Sequence, residues 1–146
     1  MILISKIICT GFGIGKSPFF PGTLASFSIL PIVWIMKKNL TFDIFLILLF
    51  IYTIISFFLI KNCLKNEIDK DPGYIVIDEH IGQAITLIFC NEILYEYFIA
   101  FILFRFFDIL KPFPINYFDK LKNPIGVIGD DILAGLISGL IIFFIL

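Results

Sequence analysis

The sequence predicts an all-α fold: a multihelical membrane bundle of about four to five apolar helices arranged as hairpins, with a polar site at their cytoplasmic ends. Three observations carry this expectation. Hydrophobic residues make up 60% of the 146 and mean hydropathy is +1.05, whereas soluble domains are roughly 45–50% apolar. A single domain of this size cannot hide that much apolar surface from water, so a bilayer, or a large partner, is expected to cover the excess. The chemistry-bearing polar residues are gathered into four short clusters rather than scattered.

The elements follow in order. Met1 to Thr10 is apolar with one lysine; it lacks a basic start and a small-residue cleavage site, and reads as mature protein. Thr23 to Met36 is the first apolar helix, ended by Lys37-Lys38-Asn39. Thr41 to Ile60 is the longest, 20 residues with Asp43 as its only charge, which matches the roughly 20 residues a spanning helix needs. A polar stretch from Lys61 ends in the turn signature Asp71-Pro72-Gly73. Ile75 to Phe107 is interrupted by Asn91-Glu92 and divides into helices at about Asp78–Phe89 and Leu94–Asp108. The prolines of Lys111-Pro112-Phe113-Pro114 then preclude a continuous helix. A mixed segment runs to Gly129, and the last helix spans Asp130 to about Leu146. The whole chain, 1–146, reads as one domain.

If the helices pair as two hairpins, Lys16, Lys61, Lys65, Lys70, Arg105, Lys111, Lys120 and Lys122 lie on one side and Lys37 and Lys38 on the other, with Lys6 unassigned. The positive-inside tendency places the richer side in the cytoplasm. The alternative is a single crossing by Ile75–Phe107, which would put Asp78 and Asp108 on opposite faces of the membrane. The net charge of −1 and the lack of basic–aromatic clusters on a polar surface argue against nucleic-acid binding. Cys9, Cys63 and Cys90 are odd in number and widely spaced, which disfavours disulfides or a zinc site. Positions six residues after them hold Gly15, Asp69 and Glu96 rather than the arginine of a cysteine phosphatase loop.

The four polar clusters carry the chemistry. Gly11-Phe12-Gly13-Ile14-Gly15-Lys16-Ser17-Pro18, continuing to Pro21-Gly22-Thr23, offers alternate glycines for close approach of backbone N–H groups to an anion. Its spacing is not that of a Walker loop. Thr23 is placed to cap the next helix. Asp78-Glu79-His80 opens an apolar helix, as helix-favoured acids commonly do; His80, the only histidine, fits a structural role or a ligand. Arg105, Asp108 and Lys111 are spaced three apart and share a face if their helix continues. Asp130-Asp131 opens another apolar helix, followed by Ala134/Ser138 and Gly135/Gly139, small pairs that let a second helix approach closely.

Each carboxylate alone is compatible with helix capping. Together, Asp78, Glu79, Asp108, Asp130 and Asp131 would repel, since two unit charges at 4 Å interact by about 4 kcal/mol at an effective dielectric near 20. A divalent cation reverses that sign, and oxygen-only ligands favour Mg²⁺. Lys16, Arg105 and Lys111 could then balance a phosphate, the equipment of phosphoryl chemistry.

These clusters, in this order, resemble the phosphatidylglycerophosphatase A family. The matching stretches are Gly11-Phe12-Gly13 with Ser17-Pro18 and Pro21-Gly22-Thr23; Asp71-Pro72, Asp78-Glu79 and Gly82; Arg105-Phe106-Phe107-Asp108 with Lys111-Pro112 and Pro114-Ile115; and Asp130-Asp131 with Ala134-Gly135. Departures are small: Ala25 stands where a glycine is usual, Phe113 where Trp is common, and Gln83 where an apolar residue can occur. The resemblance implies a helical fold, membrane association in many members, and Mg²⁺-dependent hydrolysis of phosphatidylglycerophosphate to phosphatidylglycerol.

On that basis Asp78, Asp130 and Asp131 are the expected metal ligands. Glu79, Asp108, Arg105 and Lys111 are the expected catalytic groups, with Glu79 the candidate for activating water. Gly13, Lys16, Ser17 and Thr23 are expected to bind substrate. The expected partners are the phospholipid and the membrane, with no obligate protein partner, and the expected location is the bacterial inner membrane, crossed several times. Two rivals are a phospho-alcohol transferase, whose longer aspartate motif is missing here, and a carboxylate-lined lipid or ion transporter, whose charges belong near the bilayer midplane.

Overall fold

The computed structural model describes residues 2–65, 67–69 and 72–145. Among the described residues the structure is helical throughout: α1 (Ile2–Cys9), a 3₁₀ turn (Ile14–Lys16), α2 (Pro21–Asn39), α3 (Phe42–Leu64), α4 (Ile77–Ile88), α5 (Leu94–Leu110), α6 (Ile115–Asp119) and α7 (Pro124–Ile145). The expected turn at Asp71-Pro72-Gly73 lies partly outside the described residues, as do Lys70 and the final Leu146; Ile75 N–H does donate to the Pro72 carbonyl at 3.0 Å.

Local chemistry sets the boundaries. Pro21 fills the first position of α2, where its missing N–H costs nothing, and the N-cap position is Phe20, not Thr23. The expected Thr23 cap is therefore corrected: Thr23 sits within the first turn. The last helix also begins earlier than expected, at Pro124, with the Asn123 side chain accepting the Gly126 N–H at 2.9 Å. Asp130 and Asp131 thus lie in the second turn of α7, and capping does not explain them. Between α4 and α5 the Glu96 carboxylate accepts the Asn91 N–H at 2.6 Å. Lys37, from the end of α2, donates to the Leu87 carbonyl at 3.0 Å and to that of Cys90, satisfying the C-terminal carbonyls of α4. Short α6 replaces what the sequence shows only as a mixed segment.

Two helices, α3 with 23 residues and α7 with 22, are long and apolar enough to cross a membrane. At 12 residues, α4 is only about 18 Å long, short of a roughly 30 Å hydrocarbon core. Among the described residues, not all of the four to five expected apolar helices meet that test; two do, by length and composition. Nor does packing favour two simple hairpins: α4 packs chiefly on α7 and then on α2, whereas α2 and α3 hardly touch. The core is built around α4, with one cluster joining Cys9, Ile60, Cys63, Ile77, Ile81 and Val127 and another joining Val33, Phe45, Ala84, Leu87, Tyr97 and Ile142. The three cysteines are free and buried. Outward, α3 exposes Ile47, Phe50 and Phe58, and α7 exposes Phe143 and Phe144, an apolar surface of the kind that lipid covers.

Candidate active site

The crossing of α4 and α7 creates the site. A Cβ on Gly135 would run into the Gly82 carbonyl, and one on Gly82 would meet the Asp131 carbonyl and the Phe104 ring. Deeper along the pair, Gly139 lies against Phe89. The small-residue stripe read from α7 thus lets two backbones touch, and the helices run in the same direction. One turn before this crossing stand Asp78 and Glu79 on α4 and Asp131 on α7, so the approach that buries the glycines also gathers the acids.

Oxygens of Asp78, Glu79 and Asp131 all lie within 4.8 Å of one another. Asp78, Asp130 and Asp131 are buried, and Asp131 feels the charges of Asp108, Asp78, Glu79 and Asp130. Of the five carboxylates singled out in the sequence, Asp78, Glu79 and Asp131 converge, with Asp108 and Asp130 close enough to add their charge. Burial, with help from Glu79 and Asp130, pushes Asp78 well above the usual carboxylate range. Burial likewise raises Glu79 to about 7, with Asp108 adding to the effect. Glu79 Oε2 has no hydrogen-bond partner. A buried set of unneutralised acids with an orphaned oxygen is an unstable arrangement by itself, and its all-oxygen donors fit a hard divalent cation.

Arg105 and Lys111 edge the cluster but differ in their engagements. Arg105 pairs with Asp108 and lies 3.4 Å from Ser26 Oγ, while its buried Nε has no partner. Lys111 leaves the face of Arg105 and Asp108, contrary to expectation. The α5 helix stops at Leu110, since Pro112 disfavours helical geometry in the residue before it, and Lys111 caps it in a left-handed conformation with φ 44°. Its ammonium crosses to Asp130 at 2.7 Å and Asp119 at 2.5 Å. Burial opposes its charge, but these two carboxylates hold it above the ordinary lysine value. Asp130 is accordingly occupied by Lys111, and the three-carboxylate group contains Glu79 in its place.

The glycine loop meets the site through a residue other than those expected. Gly22 lies against Glu79 Oε1 and Arg105, whereas Gly13 and Lys16 are exposed and Ser17 closes a local turn with Phe19. Thr23, one residue past Gly22, is half-buried. Sequence reasoning placed Gly22 in the first polar cluster without a role of its own, and missed Ser26 and Asp119 as site neighbours. The Gly22/Ser26 spacing of four was a usable sign of a close helix contact; Asp119 carried none. His80 is fixed by structure: Ser28 spends its proton on the Ala25 carbonyl at 2.8 Å, so His80 Nε2–H donates to Ser28 Oγ at 3.3 Å and Nδ1 accepts from Tyr52 O–H at 3.2 Å. Burial lowers its pKa to about 4, so the ring is neutral and its nitrogens are taken.

Fold and site together define an all-helical, membrane-type protein with a buried acidic cluster, edged by cations, where apolar helices meet. Comparison with known proteins narrows this class. The family described as PgpA, phosphatidylglycerophosphatase A, matches residues 7–146. Phosphatidylglycerophosphatase A of Escherichia coli (strain K12) is 35% identical over 141 residues, covering 95% of this chain and 81% of that protein. The Haemophilus influenzae protein of the same name is 37% identical over 141 residues, covering 95% and 86%. A Bacteroides thetaiotaomicron protein, provisionally named a phosphatidylinositol-3-phosphatase, is 38% identical over 144 residues, covering 93% and 89%. No solved structure matches the chain significantly. The chain belongs to the phosphatidylglycerophosphatase A family and is a phosphoric monoester hydrolase.

Proposed function

We propose that this protein is an Mg²⁺-dependent lipid phosphatase of the bacterial inner membrane. It hydrolyses the terminal phosphomonoester of phosphatidylglycerophosphate to phosphatidylglycerol and inorganic phosphate, a step of phospholipid biosynthesis, with its site facing the cytoplasm. The observation that carries this is the convergence of Asp78, Glu79 and Asp131 within 4.8 Å, next to two buried polar atoms without partners, Glu79 Oε2 and Arg105 Nε. One orphan suits a cation and the other an anion, and a metal-bound phosphate supplies both.

Asp78 and Asp131, with Glu79, are the residues to hold Mg²⁺, which when bound neutralises the acids and draws charge from phosphoryl oxygens. The planar guanidinium of Arg105, steadied by Asp108, is set to receive phosphate oxygens. Lys111, held by Asp119 and Asp130, contributes positive charge from the other side. Gly22 lets the Glu79 carboxylate lie against the α2 backbone beside Arg105, where any side chain would displace it. Glu79 takes a proton from the attacking water; the water oxygen bonds to phosphorus, the P–O bond to the glycerol breaks, and the proton held by Glu79 passes to the departing alcohol oxygen. The lipid tails remain in the bilayer beside α3 and α7.

The test is phosphate release by the purified protein in detergent, with phosphatidylglycerophosphate, phosphatidylinositol-3-phosphate and a soluble phosphomonoester as substrates. Turnover with Mg²⁺, lost on chelation and greatest on phosphatidylglycerophosphate, is expected. Activity surviving rigorous chelation would sink the metal role, and preference for the inositol lipid would reassign the substrate.

A further inference from the structure

We propose that the groove between α2 and α3 holds one acyl chain of the phospholipid substrate and makes the enzyme selective for chain length. The inference rests on the lipid-phosphatase reading above. Although a short link joins them, α2 and α3 scarcely touch, because α2 leans chiefly on α4 and α3 chiefly on α1. The wedge left between them encloses about 630 Å³, walled by Ile32 and Met36 of α2 and Leu48 of α3 and floored near one end by His80. Ordinary small-molecule sites run to roughly 300–1,000 Å³.

Three features separate this groove from a mere lipid-facing cleft. Its end meets the site: His80 follows Glu79 in sequence, and the loop that starts with Gly11 against His80 leads into the first turn of α2, where Gly22 lies against Glu79. A lipid whose phosphate lies at the acids has to cross only that loop for a chain to enter the groove. Its width is fixed, since the Tyr52–His80–Ser28 hydrogen bonds tie α3, α4 and α2 together across its floor. Its polar groups are also spent: Ser28 donates to the Ala25 carbonyl, and both ring nitrogens of His80 are used. A hydrocarbon chain therefore leaves no donor on that ring stranded, whereas a polar ligand would find none available. Two other apolar grooves are of comparable size, about 700 Å³ between α2 and α5 around Trp34 and Leu94 and about 550 Å³ between α3 and α7 around Phe57 and Gly129; neither is lined by His80 or by the start of the glycine loop.

The experiment compares dioleoyl with dihexanoyl phosphatidylglycerophosphate in wild type, Ile32→Trp, Leu48→Trp and a control, Phe50→Trp, at an exposed position of α3 outside the groove. Filling the groove is expected to lower kcat/KM for the dioleoyl lipid by about tenfold or more, the scale on which misfit in an apolar pocket acts, and to leave the dihexanoyl lipid and the control unchanged. Equal effects on both lipids, or none, overturn the groove while sparing the phosphatase; a wild type inactive on both removes the phosphatase reading itself. Should the tryptophan variants fail to fold, crosslinking decides. A phosphatidylglycerophosphate with a diazirine in mid-chain should label wild-type Ile32 or Leu48, blocked by excess unmodified substrate, and labelling that favours Phe50 equally would refute the assignment.

Discussion

At the scale of single residues, the site is an arrangement whose stability and function pull in opposite directions. Asp131 is buried beside Asp78 and Glu79, so without a cation it is a source of repulsion rather than cohesion. Asp131→Asn keeps the shape and removes one charge. Phosphate release should fall by at least about 10²-fold, the scale of losing one preorganised charge-stabilising group. The chelated variant should nevertheless melt above chelated wild type, by about 2–4 °C for each kcal/mol of repulsion relieved. Adding Mg²⁺ should raise the melting temperature of wild type much more than that of the variant, because only the intact cluster gains by binding. Thermal unfolding in detergent with and without MgCl₂ measures both signs. Retained turnover would remove Asp131 from the chemistry. The carboxylate pairs were legible in the sequence because acids inside apolar runs need a reason; which acid Lys111 would claim was not, because Asp119 sits in an α6 with no periodic signal and Lys111 reaches it only after the chain breaks at Pro112.

At the scale of elements, the α4–α7 crossing sets the site and the far end of α4 does not. Gly135→Ala places a methyl group on the Gly82 carbonyl, backbone against backbone, so the helices must part. Such overpacking typically costs about 1–3 kcal/mol, and here it also draws Asp131 away from Asp78 and Glu79. Lys37→Met makes the opposite case. It removes the Lys37 ammonium from the Leu87 and Cys90 carbonyls; Leu87 keeps the Cys90 N–H at 3.3 Å, so the cost, about 1–3 kcal/mol for a buried acceptor left bare, falls on Cys90, beyond the end of α4 away from the acids. The expected outcome is a lower melting temperature in both variants, with kcat per folded molecule collapsing in Gly135→Ala and staying near wild type in Lys37→Met. Equal retention of kcat would show that the crossing does not position the site. The sequence displayed the stripe Ala134, Gly135, Ser138 and Gly139 but not its partner: a small residue advertises that something comes close, and only the fold says that it is Gly82. The break at Asn91-Glu92 was readable, whereas Lys37 closing α4 from some fifty positions away has no local signature.

At the scale of the whole molecule, charge has a direction. The acids, the loop from Gly11 to Gly22, the start of α4 and the end of α5 share one end of the bundle, and Lys111, Lys120 and Lys122 lie in the segment joining α5 to α7 at that end. Lys6, which the sequence alone left unassigned, pairs with Glu67 at 2.8 Å just beyond α3 and joins the same end. Lys37 and Lys38 stand at the other, beside Trp34, whose ring lies 5.0 Å from the Lys38 ammonium, an amphipathic pairing suited to a membrane interface. The positive-inside tendency favours the proposed orientation, with the acids on the cytoplasmic side. The buried native cysteines make this measurable with little background labelling. Lys120→Cys and Asn39→Cys introduce thiols at exposed positions at opposite ends. In intact spheroplasts a membrane-impermeant maleimide should label Asn39→Cys and spare Lys120→Cys until the membrane is opened. Labelling of Lys120→Cys from outside would reverse the molecule, and labelling of neither would mean that α3 does not cross the bilayer and the chain rests on its inner face.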